Sequence, residues 1–343
     1  RNLYLPSISN QRLALRASRD IKRIRSEVSE LEFRLWDAPN ETPAIAEAIV
    51  RINHEDLLSD WVETLPFPLA SILRSYNSID RSAKEKYERL LHFFEAYAEY
   101  CAMVHMSAFK KSEVRWSKQK EILRSVLENQ GLSLKRAGFG LWRAIADNLA
   151  SKLRKMLSSD VDSHEALALY SVATKSPLEL LASIELSEIL QRVNGFRNRW
   201  TGHGGAVTAS EAEFRCEQLS DELANLREIV GYRLGQHRLI EPQDCDVLDG
   251  PIFRCRIRNV MGSNPQLDHD EVDLAHPAIK GRLYLHEPGH DQALELVPFV
   301  QVTEAPQPAS YFYNRTGSSG AHLVSYHFAE SSEQFNESQR LTS

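Results

Sequence analysis

Cysteine is scarce in this 343-residue chain: four residues, Cys101, Cys216, Cys245 and Cys255, spread over different regions with no close Cys-x-x-Cys pair. That spacing offers neither a zinc knuckle nor a disulfide scaffold, and the expectation is four reduced thiols in a cytoplasmic protein. Long apolar runs are also missing. Nothing approaches the roughly 20 residues a membrane span needs, so no membrane partner is expected, and no secretory leader is expected either. Positive charge is not in excess: Lys and Arg number 41 against 47 Asp and Glu, a net charge of −6. A global attraction to nucleic acid is thereby excluded, and any basic surface has to be local. The chain starts at Arg1 without a Met and is expected to be a piece of something longer.

What is present is ordinary globular material, 42% hydrophobic and 26% charged, in a length that suits two or three domains. Residues 8–35 carry a rough apolar stripe (Ile8, Leu13, Leu15, Ile21, Ile24, Val28, Leu31, Leu35) flanked by basic side chains, the pattern of a solvated helix in a hairpin or coiled coil. A second helix is expected over 43–61, pairing with the first. Leu65-Pro66-Phe67-Pro68-Leu69 reads as a breaker, and a boundary is placed near 63–68.

Residues 82–109 form a long helical stretch rich in rings, among them Tyr87, Phe93, Phe94, Tyr97 and Tyr100. A ring-rich stripe at helical spacing reads as core or as a dimer interface, with His92 and His105 as structural histidines. The stretch 110–160 is locally basic, with Lys118, Lys120 and Arg124 among its cations and Trp116 and Trp142 interleaved. One reading is a groove that follows a phosphate backbone, with rings that stack on bases; the other is a solvated face over core tryptophans. Ser158–Ser163 is loop with helix-capping chemistry. Pro177–Val193 has apolar residues at threes and fours and is expected as one helix, and 210–234 as another that closes the bundle.

The first of these helices leads into Phe196-Arg197-Asn198-Arg199-Trp200-Thr201-Gly202-His203-Gly204-Gly205. Gly204-Gly205 marks its expected stop. Arg197 and His203 are six apart, close enough to converge at a helix end. A guanidinium grips phosphate oxygens in a charge-assisted fork, and an imidazole moves protons near neutral pH. Asn198 can orient either group. The plainer alternative is a basic helix end that complements the macrodipole, with His203 as its cap.

Arg197-Asn198, four residues, then His203 resembles the signature of HEPN domains, the "higher eukaryotes and prokaryotes nucleotide-binding" family, over perhaps residues 80–235. The resemblance implies an all-α bundle, often dimeric, and in many members a metal-independent endoribonuclease of toxin or antiviral systems; other members bind without cutting. It implies that a 2′-hydroxyl attacks the neighbouring phosphate, with Arg197 stabilising charge, His203 handling protons and Asn198 orienting. Arg199, Lys118, Lys120 and Arg124 are the expected RNA contacts. Leu5-Pro6-Ser7-Ile8-x-x-Gln11, followed by a charged helix ending Leu35-Trp36-Asp37-Ala38-Pro39, resembles the linker of type I restriction specificity subunits and related methylases.

Beyond 240, short apolar runs alternate with turn residues, and strands are expected at 252–258, 281–286, 293–303, 309–314 and 321–328. His286-Glu287-Pro288-Gly289-His290 matches the metalloprotease spacing, but that chemistry needs both imidazoles on one helix face, and Pro288-Gly289 makes a turn. His269, Asp270, Glu271, Asp273 and His276 read as loop surface. The expectation is therefore an α+β protein: a helical hairpin over 1–64, a HEPN-like bundle over 65–240, a small β domain over 241–330 and a flexible tail over 331–343. It is expected to need no metal and no cofactor. The expected partners are RNA, a second copy of the chain, and a larger defence complex or the part of its own chain ahead of Arg1. The rival expectation is a non-catalytic binding or scaffold module of a restriction-modification-like complex.

Overall fold

The computed structural model describes residues 58–77, 81–201, 207–248, 250, 252–303, 309–317, 320–326 and 332–335. The chain divides into two compact units, Arg1–Asp60 and Trp61–Ser343, close to the boundary expected near 63–68. The hairpin helices expected over 8–35 and 43–61 lie almost wholly outside the described residues, as does the restriction-like linker.

The second unit is α+β, helical first and strand-rich after. Its helices are α1 (Phe67–Tyr76), α2 (Ala83–Lys110), α3 (Glu113–Asn129), α4 (Phe139–Leu157), α5 (Asp160–Tyr170), α6 (Ser176–Leu181), α7 (Ile184–Thr201) and α8 (Ala209–Val230). The proline breaker opens α1 rather than separating blocks: Pro66 caps it and Pro68 sits in its first turn, where a missing N–H is no loss. Ser82 starts α2 with a full capping box to Glu85, which satisfies two orphan amide groups. The single helix expected over 177–193 is broken into α6 and α7. Ser183 interrupts it, its Oγ accepting from the Leu186 amide at 3.0 Å, so local capping overrides an unbroken apolar period.

The α2 helix is the core. From Phe93 onward nearly every residue to Phe109 is buried, including Phe94, Tyr97, Tyr100 and Met103. The ring-rich stripe is thus consumed by the chain's own interior, not presented to a second copy. Helices α1, α4, α5, α7 and α8 pack around it, as expected of a helix buried all round over most of its length.

Two antiparallel sheets follow. The first has five strands in the order β3-β2-β1-β4-β5 and the second four, β6-β7-β8-β9. The strands are β1 (Arg238–Val247), β2 (Phe253–Asn259), β3 (His269–Leu274), β4 (Tyr284–His286), β5 (Ala293–Glu295), β6 (Val300–Thr303), β7 (Ala309–Gly317), β8 (Gly320–Ser325) and β9 (Ser332–Phe335). All five expected strand regions are occupied, with 293–303 split in two. Three strands went unrecognised. Pro242 disguises β1, where it sits beside a register shift, the place a strand tolerates proline. Acidic residues disguise β3, an edge strand on which Arg238 pairs with Asp270 and Arg254 with Asp273; the residues read as loop surface mostly belong to it. Residues 332–335, expected as frayed tail, pair with β8. His286 ends β4 and Glu287 to Gly289 turn towards β5, so the two imidazoles of that segment share no helix face.

The second sheet lies against the bundle. Trp142 of α4 is almost fully buried and packs on Phe299 and Tyr313, with ring centroids 5.2 and 6.0 Å away. It is core, not a base-stacking platform, and truncation to Ala costs about 3–5 kcal/mol at such sites. The Tyr313 hydroxyl donates to the Leu134 carbonyl at 2.7 Å, and the Ala137 amide donates to the Asn314 carbonyl at 2.8 Å.

The expectation of four reduced thiols is corrected at one pair. Cys245 and Cys255 are register partners of β1 and β2 and are joined by a disulfide. Ten residues of separation conceal a contact that hairpin pairing makes direct. Cys101 and Cys216 are free. Thiol titration in denaturant should therefore find two reactive groups per chain before reduction and four after. Four groups without reductant would contradict the pairing.

Candidate functional site

The residues around Arg197 are set by α2, α4 and α7. One turn of α7 brings Asn194 and Arg197 to the same face, three residues apart. Opposite them α2 presents Arg89, His92, Glu95 and Glu99, a polar line at threes and fours inside an otherwise apolar helix. An Arg197 Nη lies 3.7 Å from a Glu95 carboxylate oxygen, and the guanidinium side chain keeps about a third of its surface exposed while that of Glu95 is nearly covered. Gly138, the N-cap of α4, closes the third side: a Cβ there would stand 3.7 Å from Glu95 and 3.9 Å from Arg197.

Burial pushes the Glu95 carboxyl above its ordinary range, partly offset by the Arg197 charge and by the Phe139 amide. Glu99, one turn on, is fully buried and pushed up further by burial, although its Oε1 accepts the Tyr313 amide at 3.0 Å. His92 stacks on Tyr326 at 4.6 Å between centroids, and the Tyr326 carbonyl accepts from Arg89. Burial first, then the charges of Arg89 and Arg197, push His92 down to about 4. It is a neutral ring at physiological pH. The Asn194 Oδ1 and His92 Nδ1 are buried without hydrogen-bond partners among the described residues. By contrast His105 is satisfied, its Nδ1 2.5 Å from the Tyr170 hydroxyl.

The expected site residues are distributed as follows. Arg197 stands in the cluster just described. Asn198 is exposed on the next position of α7. Arg199 is exposed too, but it faces away, with its guanidinium 5.1 Å over the Phe196 ring. His203 lies outside the described residues. Lys118 and the pair Lys120 and Arg124 belong to different faces of α3. Lys118 shares a groove of about 290 Å³ with Arg115, Lys152 and Lys155, on whose floor the Gln119 amide donates to Asn148 at 2.6 Å. Lys120 and Arg124 line a separate, more apolar cavity beside Trp116. Arg115 is already engaged by Glu165.

Glu95, Glu99, His92, Arg89 and Asn194 were not singled out as site residues. Their signal was present: charged and polar side chains recurring at helical spacing on a stripe that otherwise reads as core. Among the described residues no group of three or more His, Cys, Asp or Glu gathers as a metal site, and no helix is long and apolar enough to cross a membrane. Compared with family models, with curated proteins and with solved structures, the chain matches none.

Chemically, the cluster holds a guanidinium at a helix end by a buried acid. It leaves part of that guanidinium to solvent, beside a neutral imidazole and a buried amide oxygen. Such an arrangement favours an anion with several acceptor oxygens. The depressed His92 has a consequence for stability. The folded state holds fewer protons on this ring than the unfolded state does, so its contribution is complete above about pH 6.5 and is lost as the pH falls towards 4, by up to about 3 kcal/mol. Glu95 and Glu99, with raised values, act in the opposite sense. The comparison is therefore His92→Phe against wild type: the variant should gain thermal stability relative to wild type as the pH falls from 7 to 5. A difference that stays constant with pH would contradict the assignment.

Proposed function

We propose that the chain is a metal-independent endoribonuclease of HEPN type, from a prokaryotic defence or toxin–antitoxin system. The observation that supports it best is Arg197, held by the buried Glu95 at the C-terminal end of α7 while still partly open to solvent. In this reading the 2′-oxygen of RNA forms a bond to the adjacent phosphorus and the bond to the 5′-oxygen breaks, leaving a cyclic phosphate. His203 takes the proton of the 2′-hydroxyl or supplies one to the departing 5′-oxygen. Arg197 stabilises the negative charge that grows on the phosphate oxygens, the largest single term in most such reactions. Asn198 orients. RNA reaches this point along the groove of Lys118, Lys152 and Lys155. Along α4, Lys152 stands roughly 20 Å from the helix start beside Arg197, at about 1.5 Å per residue. A second copy of the chain completes the cleft, by a surface other than the aromatic face of α2.

One observation favours the second reading, a binding or scaffold module without cleavage. The Glu95 carboxylate sets a negative charge against Arg197, as a purely structural ion pair would.

Cleavage of mixed RNA in chelator distinguishes the two. Arg197→Ala and His203→Ala should each lower the rate by about 10²-fold or more, in line with the usual size of acid–base and electrostatic contributions. Arg197→Lys should not restore it, because an ammonium lacks the planar fork. Arg197→Ala alone also leaves Glu95 without its cation, so the double variant Glu95→Gln, Arg197→Ala should recover stability but not cleavage. Recovery of both would make the pair structural, and a wild type that binds RNA without ever cutting it would leave the second reading standing.

RNA binding itself should be steeply salt-dependent, with a slope of about −0.7 per phosphate neutralised on a single strand. Reversing Lys118, Lys152 and Lys155 to Glu should flatten that slope and weaken binding. An unchanged slope would exclude the groove.

A further inference from the structure

A second cavity, of about 310 Å³, lies between α3, α4 and the segment leading into β6. Its floor is apolar: Met106, Leu123, Ile145 and Phe299 are all buried, and Leu127 forms part of the wall. Its rim is cationic, with Lys110, Lys120 and Arg124 against a single acid of the lining, Glu128. Glu295 also attracts Lys110, but it is engaged by Arg282. Trp116 lines the same cavity, and its indole Nε1 is buried with no acceptor among the described residues. Indole nitrogen can only donate, and a buried donor left unmade is costly.

These features complement one another. An apolar hollow of this size takes apolar groups. The crowding of cations at its mouth favours a negative charge. The unmet N–H asks for an oxygen. We propose that this cavity is a binding site for a small amphipathic anion. Its flat or acyl body fills the hollow, its carboxylate, phosphate or sulfonate meets Lys110, Lys120 and Arg124, and an oxygen accepts from Trp116. Lys120 and Arg124 thereby serve this ligand and not the RNA path of Lys118. The site is independent of the ribonuclease reading, since neither Arg197 nor its neighbours line it.

The test uses the full chain and 8-anilinonaphthalene-1-sulfonate, an aromatic monoanion, as the fluorescent probe. One saturable site is expected, with octanoate displacing the probe at least tenfold better than octylammonium. Lys120→Glu with Arg124→Glu should weaken binding at least tenfold while the circular dichroism spectrum is kept. Lys84→Glu, at the far end of α2, roughly 35 Å away at 1.5 Å per residue, should leave binding unchanged. Leu127→Trp should fill the hollow and abolish binding. Absence of a saturable site, equal displacement by octanoate and octylammonium, or full probe affinity in a folded Lys120→Glu, Arg124→Glu variant would each overturn the proposal.

Discussion

A helix buried from Phe93 to Phe109 has to be covered on every side there, and α2 sets that requirement for this protein. Covering its rings accounts for the packing of the bundle. Its polar side chains impose a stricter demand, since each one taken out of water needs a partner or loses stability. Most are met by other parts of the chain, while the His92 Nδ1 and one Glu99 oxygen are left without a hydrogen bond among the described residues. Arg89 and His92 engage Tyr326, Glu95 meets Arg197, Glu99 accepts the Tyr313 amide, His105 meets Tyr170, and Ser107 accepts the Val297 amide at 2.9 Å. The buried polar groups of one helix thus tie down α5, α7, the start of the second sheet and its strand β7.

The candidate site is one of these ties, left partly open. Glu99 and His105 are enclosed, whereas Arg197 stays partly accessible where α7 reaches its end. The same contact therefore carries a structural and a chemical reading. A buried acid beside a guanidinium holds it in place, and it also subtracts from the charge that guanidinium offers to a ligand. Which effect prevails depends on how strongly burial favours the protonated acid, and burial raises Glu95 more than Arg197 lowers it.

The basic stretch between α2 and α5 divides in a way that charge counting does not reveal. At 3.6 residues per turn, residues 115, 118, 119 and 122 of α3 point one way, and 116, 120, 123, 124 and 127 another. One face makes a polar groove with α4, the other an apolar hollow with a cationic mouth. A local excess of lysine and arginine is thus two surfaces with different ligands.

Much of the architecture was legible from spacing alone. The long helix α2, the closing helix α8, the hairpin turn after His286 and the change from helices to strands near 240 all follow from periodicity and turn chemistry, which are local interactions between residues a few positions apart. The Arg197-Asn198 pair stood out for the same reason, as polarity at the end of an apolar stripe. Tertiary structure alone decided the rest: the strand that carries Pro242, the Cys245–Cys255 pair and the Glu95 partner of Arg197. Each is a contact between positions that sequence separation does not relate, and each became favourable only once the burial of α2 had brought the segments together, or once a strand register had set two side chains opposite each other.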